Sequence, residues 1–189
     1  MALKHAILAA LALRESSGYD LAKAFDVTVA NFWAATPQQL YRELDRLTDE
    51  GLVAARTVEQ EKRPNKRMLS LTDAGRASLA EFTAMAPKPT AVRDELMVQI
   101  EALGFADPDD IRRHVETKAV ASTDKLERYH QTRERLLRGR TEEEFLVGSA
   151  KVGPYLTLAR GISFEEENLR WCRLVLAALD ARTPKALRH

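Results

Sequence analysis

Cysteine is all but missing from this chain. A single one, Cys172, occurs in 189 residues. No internal disulfide is therefore possible, and a reducing cytoplasm is the expected compartment. Histidine is also sparse, with His5, His114, His130 and His189 scattered along the sequence. Glu127-Arg128-Tyr129-His130 has the E-x-x-H spacing of di-iron helical bundles. Such a site needs a second copy and two further inward glutamates, and the sequence offers no second copy. No glycine-rich phosphate loop occurs, and Cys172 falls on an apolar helix face, where a buried, inert thiol is the default. No catalytic residue, metal or cofactor is expected, and a metal-dependent helical enzyme is the weakest alternative. No apolar run approaches the roughly 18–20 residues of a membrane span. Net charge is only +1, so any attraction for nucleic acid must come from a local basic surface.

What is present is a helical, charge-rich globular sequence. Hydrophobic residues make up 45% and charged ones 30%, which fits packed cores and argues against disorder. The run Ala6–Leu13 after Lys4 has the size of a signal-peptide core. Arg14 and Glu15 follow at once, however, and Leu3, Ile7, Ala10 and Leu11 recur with helical spacing, so it reads as a first helix. Ser16-Ser17-Gly18 reads as a turn in which Ser17 caps a second helix, about Gly18 to Ala30. A short connection, Asn31–Ala35, carries Phe32 and Trp33.

The strongest signal lies between Thr36 and Arg67. Thr36 is a preferred N-cap, Pro37 suits the first helical position, and Gln39 completes a capping box. Leu40, Leu44 and Leu47 form a buried stripe, and Gly51 ends the helix. Leu52–Val58 and Met68–Leu71 are short strand candidates around a turn at Pro64-Asn65. Thr72 caps a fourth helix, about Asp73 to Ala84. Pro87 and Pro89 cannot continue a helix. They set expected boundaries of 1–85 for a first domain, 86–90 for a linker and 91–189 for a second domain.

The second half reads as helical throughout. Expected helices cover Ala91–Leu103 and Pro108 to about Leu137, with later starts capped by Thr141/Glu144 and by Ser163/Glu166. Gly153-Pro154 should kink or break the chain between those starts. Val115, Ala119, Ser122, Leu126, Tyr129 and Leu136 make a thin seam on the long helix. The last helix is apolar on two sides, which suggests a second packing partner such as another subunit.

These elements suit a helix-turn-helix with a β-hairpin wing. The second helix of such a unit enters the major groove through its N-terminal residues. Here Gln38, Gln39, Tyr41 and Arg42 sit near that end, with Arg46 one turn on. Glutamine can pair with adenine and arginine with guanine. Glu43, Asp45, Asp49 and Glu50 make the helix net negative. Base reading requires that they face away, and Glu43 and Asp45 lie off the Arg42–Arg46 line. Lys62, Arg63, Lys66 and Arg67 then supply the positive charge from the hairpin, to neutralise phosphates or reach a minor groove.

Several stretches carry a family likeness: S-G-Y-D-L-A-K-A-F (Ser17–Phe25), F-W (Phe32-Trp33), T-P-Q-Q-L-Y-R-E-L (Thr36–Leu44), D-E-G-L-V (Asp49–Val53), R-P-N-K-R (Arg63–Arg67) and L-T-D-A-G-R (Leu71–Arg76). Together they resemble the PadR family of bacterial transcriptional regulators. R-D-E-L (Arg93–Leu96) and R-G-I-S-F-E-E-E-N-L-R-W (Arg160–Trp171) resemble its longer members. The stretch Ile111–Arg140 carries no matching motif. The resemblance implies a mainly α fold with a small β-hairpin wing: a winged helix-turn-helix domain plus a helical C-terminal dimerisation and effector domain. It implies a homodimeric repressor on double-stranded DNA, released by a small aromatic or lipophilic effector. DNA contacts would fall on Gln38, Gln39, Tyr41, Arg42, Lys62, Arg63, Lys66 and Arg67, with Tyr19 near the DNA backbone. Trp33, Tyr129, Phe145, Tyr155 and Trp171 have the rings to meet a flat ligand, although core packing also explains them. Of these, Trp33, Tyr155 and Trp171 are the effector-site candidates. A winged-helix module that binds protein instead of DNA is the other alternative.

Overall fold

The computed structural model describes residues 2–28, 35–59, 65–90 and 93–182. The chain divides into two compact units, Met1–Lys88 with Ser149–Thr157, and Pro89–Gly148 with Leu158–His189.

The first unit runs α1 (Ala2–Leu13), β1 (Ser16–Ser17), α2 (Gly18–Thr28), α3 (Pro37–Asp49), β2 (Val53–Val58), β3 (Lys66–Leu71) and α4 (Asp73–Ala84). The strands form one antiparallel sheet in the order β1-β3-β2. This is a winged helix. Its core joins Ile7, Leu8 and Leu11 of α1 to Leu21 and Phe25 of α2, Leu40, Leu44 and Leu47 of α3, and Val53, Leu69 and Leu71 of the sheet. Burying each such side chain stabilises the unit by about 1.5–3 kcal/mol. The leucine stripe of α3 is thus fully used inward, and the helix presents its polar face outward.

Ser16 and Ser17 correct the expectation of a plain turn. They pair with Leu69 and Met68 as a third strand. Ser17 still caps α2, its Oγ accepting from the Asp20 backbone N–H at 3.1 Å. At the end of α3, Gly51 takes a φ of +70°, a left-handed conformation that glycine adopts without Cβ strain. The Leu52 N–H then bonds back to the Leu47 carbonyl at 2.9 Å, and the chain enters β2.

The second unit contains α5 (Glu95–Glu101), a 3-10 turn at Leu103–Phe105, α6 (Pro108–Leu137), α7 (Glu142–Gly148) and most of α8 (Val152–Arg182). The helix expected from Ala91 begins at Glu95, where the Asp94 carboxylate accepts from the Leu96 N–H at 3.0 Å. Residues 91 and 92 lie outside the described residues. The expected break at Gly153-Pro154 is instead a helix start. Proline there costs no hydrogen bond, because the first four N–H groups of a helix have no partner within it. Ser163 and Glu166 consequently sit inside α8 and cap nothing.

The α6 seam does face a core. Ile111 and Val115 pack with Cys172, Val175 and Leu179 of α8, and Tyr129 packs with Leu158 and Ile162. One buried carboxylate crosses this interface. Glu165 accepts from Ser122 Oγ at 2.7 Å, Asn168 Nδ2 at 3.0 Å and Lys125 Nζ at 3.1 Å. Burial pushes the Glu165 carboxyl up, but the three donors together hold it below the ordinary range. Among the described residues, no helix is long and apolar enough to cross a membrane, and no group of three or more histidine, cysteine or acidic residues is placed to hold a metal ion.

Candidate nucleic-acid interface

The N-terminus of α3 is set by its cap. The Thr36 N–H donates to Gln39 Oε1 at 2.9 Å, and the Gln39 N–H donates to Thr36 Oγ1 at 3.2 Å. This closes the expected capping box and changes what Gln39 can do. A glutamine that reads adenine needs its amide oxygen to accept from N6, and here that oxygen is committed to the cap. Gln38 and Arg42, by contrast, are exposed, and neither has a polar partner among the described residues.

Tyr41 projects from the same turn and packs over the start of α2. A Cβ on Gly18 would lie 2.7 Å from Tyr41 Cε1, so glycine lets the ring approach the backbone. Tyr19, in the first turn of α2, is 70% exposed. Between α2, α3 and β3 lies a cleft of about 290 Å³, bordered by Tyr19, Tyr41, Leu44, Asp45, Lys66 and Arg67. Five of these six were named from sequence as DNA contacts or helix carboxylates; Leu44, from the buried stripe, forms apolar wall.

The carboxylates do not all face away, as base reading by the whole cationic set would require. Arg67 donates to Asp45 Oδ1 at 2.8 Å, and Lys66 Nζ donates to Asp20 Oδ2 at 2.7 Å. Arg46 makes a two-pronged pair with Glu43 at 2.6 and 3.1 Å and also bonds Glu50. Its guanidinium is therefore occupied by α3 itself, where free base contact was expected. The Lys66 ammonium, and then the Ser17 hydroxyl, hold the Asp20 carboxyl below the usual range. Arg46 does the same to Glu43. Asp20 and Thr48, which offers Oγ1 to Arg67 at 3.5 Å, were not singled out from sequence. A readable signal existed for Asp20, since Ser17 and Asp20 have the spacing of an N-terminal cap.

Lys62, Arg63 and Trp33 lie outside the described residues. Of the other two effector candidates, Tyr155 is fully buried, and Trp171 is partly buried against the cluster of Ile111, Val115 and Cys172. Tyr129 and Phe145 are also buried, and the Arg140 guanidinium lies over the Phe145 ring at 4.8 Å.

A winged helix with a cation-bearing wing root, beside a capped helix that exposes Gln38 and Arg42, defines a DNA-binding transcriptional regulator. Residues 7–81 match the transcriptional regulator PadR-like family, and residues 92–180 match the virulence activator alpha C-terminal family. A probable transcriptional regulator of Mycobacterium tuberculosis is 34% identical over 96% of this chain and all of its own length. The negative transcriptional regulator PadR of Bacillus subtilis is 33% identical over 94% of this chain and 97% of its own. The crystal structure of that PadR with operator DNA aligns at a TM-score of 0.72 and 29% identity, covering 95% of this chain and 99% of the other. Its complex with p-coumaric acid aligns at 0.67 with the same identity and coverage. The Vibrio cholerae virulence activator AphA aligns at 0.68 and 28% identity, over 95% and 98%. The chain belongs to the PadR-like family of transcriptional regulators; it is a regulator and not an enzyme.

Proposed function

We propose that the protein is a cytoplasmic, ligand-responsive repressor that binds a near-palindromic operator as a homodimer. The observation that carries this is the cleft shared by Tyr19, Tyr41, Lys66 and Arg67, with Gln38 and Arg42 exposed on α3 and Gln38 at helical spacing from both Tyr41 and Arg42. Gln38 and Arg42 read base edges, because they are exposed near the α3 N-terminus and carry no competing partner among the described residues. Lys66, Arg67 and the tyrosine hydroxyls contact phosphates, and we assign Lys62 and Arg63 the same role. Gln39 serves the cap first and offers DNA only its amide N–H groups. Arg46 contributes only where it leaves Glu43 and Glu50.

We assign 1–85 to DNA binding, 86–90 to a linker and 91–189 to dimerisation and effector response, although Ser149–Thr157 groups with the first compact unit. The C-terminal helix supports the dimer. Phe164 and Leu174 of α8 are about half and two-thirds exposed in the single chain, and side chains of that size on a helix face favour a partner. The effector is a small aromatic or lipophilic compound, a reading supported by the p-coumaric acid complex of the Bacillus subtilis relative. Trp33, Tyr155 and Trp171 are the residues we assign to its site.

Activation is a second reading with a specific likeness behind it, since AphA is named a virulence activator and the C-terminal match is to that family. A reporter driven by the DNA upstream of the protein's own gene separates the two. Repression predicts higher output when the gene is deleted, and activation predicts lower output. Footprinting on the same DNA should show two protected half-sites about one or two helical turns apart. A single unpaired footprint would refute the dimeric reading.

A further inference from the structure

We infer that Asp20 and Asp45 set the affinity of the DNA interface by holding Lys66 and Arg67 in neutral pairs until phosphate displaces them. This rests on the DNA-binding reading above and adds residues that do not themselves contact DNA. Both pairs are made between separate elements. Asp20 in α2 meets Lys66 in β3, 46 residues away, and Asp45 in α3 meets Arg67, 22 residues away. The folding of the wing against the two helices is what brings each carboxylate to its cation. Asp20 is further fixed by the Ser17 hydroxyl at 2.9 Å. Arg46 is also paired, but locally along α3, with Glu43 and Glu50.

The pairs do little for stability. Side-chain exposure is 39% and 42% for Lys66 and Asp20, and 52% and 64% for Arg67 and Asp45, and exposed ion pairs contribute little to folding. The same exposure makes them easy to exchange. A phosphate entering the cleft can take each cation from its carboxylate without desolvating a buried charge. The displaced carboxylate stays close by, however, and repels the DNA. Binding at Lys66 and Arg67 is therefore anion exchange in place of simple attraction. The term is sequence-independent, because phosphates carry no base identity. Gln38 and Arg42 lie outside these pairs, so sequence discrimination is left to them. The interface thus separates an attenuated electrostatic grip from an unmasked base-reading pair.

The test uses the full-length protein with Asp20→Asn, Asp45→Asn and both together. Two duplexes of about 30 base pairs serve as probes, long enough for two half-sites. One is selected by the wild-type protein from a random pool, and the other is its scrambled sequence. Each neutralised aspartate should tighten binding to both duplexes roughly fivefold at low salt. It should steepen the slope of log affinity against log salt by up to about one. The ratio between the duplexes should not change. Asp20→Asn should lose its effect in a Lys66→Ala background, and Asp45→Asn in an Arg67→Ala background, which a merely structural role would not produce. Should Asp20→Asn disturb the start of α2, Asp45→Asn on the exposed face of α3 carries the test alone. Wild-type binding with no gain in affinity or slope for Asp45→Asn overturns this inference and leaves the DNA reading standing. If the wild type selects no sequence and binds neither duplex, both fall.

Discussion

Gly75 lies in the first turn of α4, where the helix meets the base of the wing. A Cβ placed there would sit 2.2 Å from the Leu52 carbonyl oxygen and 2.7 Å from Leu71 Cδ1, while real Cβ contacts essentially never fall below 3.0 Å. In Gly75→Ala the backbone at Leu52 must therefore retreat by roughly 1 Å, an overpacking that costs about 1–3 kcal/mol. The Leu52 carbonyl also accepts from the Thr72 N–H at 3.2 Å and Thr72 Oγ1 at 3.0 Å. Loosening those bonds costs about 1 kcal/mol each. Alanine returns about 1 kcal/mol of helix propensity. The net loss is about 2–4 kcal/mol. In a unit of this size each kcal/mol moves Tm by roughly 4–8 °C, so circular dichroism melts should show a fall of about 10 °C or more. An unchanged or higher Tm for Gly75→Ala would refute the close packing of α4 on the wing.

Other outcomes follow from the same contacts. Thr36→Ala removes both the cap acceptor and the partner geometry of Gln39, and should cost about 1 kcal/mol in urea unfolding. Gln39→Ala should weaken the cap yet leave the preferred DNA sequence unchanged in a selection experiment. Glu165 has a depressed pKa in the folded chain, so its contribution is complete above the ordinary glutamate range and is lost as pH falls through the depressed value. In acid titrations Glu165→Gln should flatten this loss. Leu174→Glu, placed on the exposed face of α8, should halve the mass measured by light scattering without lowering helix content.

Much of this is legible in the sequence itself. Thr36, Pro37 and Gln39 announce the start of α3, and Thr72 the start of α4, because caps are local chemistry between residues three apart. Ser16-Ser17-Gly18 reads as a turn because nothing in S-S-G calls for a strand; only pairing with Met68 and Leu69 makes one. Gly153-Pro154 carries the same letters whether it ends a helix or opens one. Here it opens one, the helix beginning at Val152. The pairings of Lys66 with Asp20 and Arg67 with Asp45 were hidden for a related reason. Helical spacing says where Asp45 lies relative to Arg42, but not which strand returns beside it. Gln39 shows a further limit, in that one side chain satisfied two patterns and the shorter-range bond claimed its oxygen.

The most direct measurement is the affinity of wild type and Arg42→Ala for the selected operator and for its scrambled duplex, at one fixed salt concentration. If α3 reads bases through Arg42, the variant loses about 1–3 kcal/mol on the operator and little on the scrambled sequence. Equal affinities of the two proteins for the operator would contradict the assignment of this face to sequence-specific DNA binding.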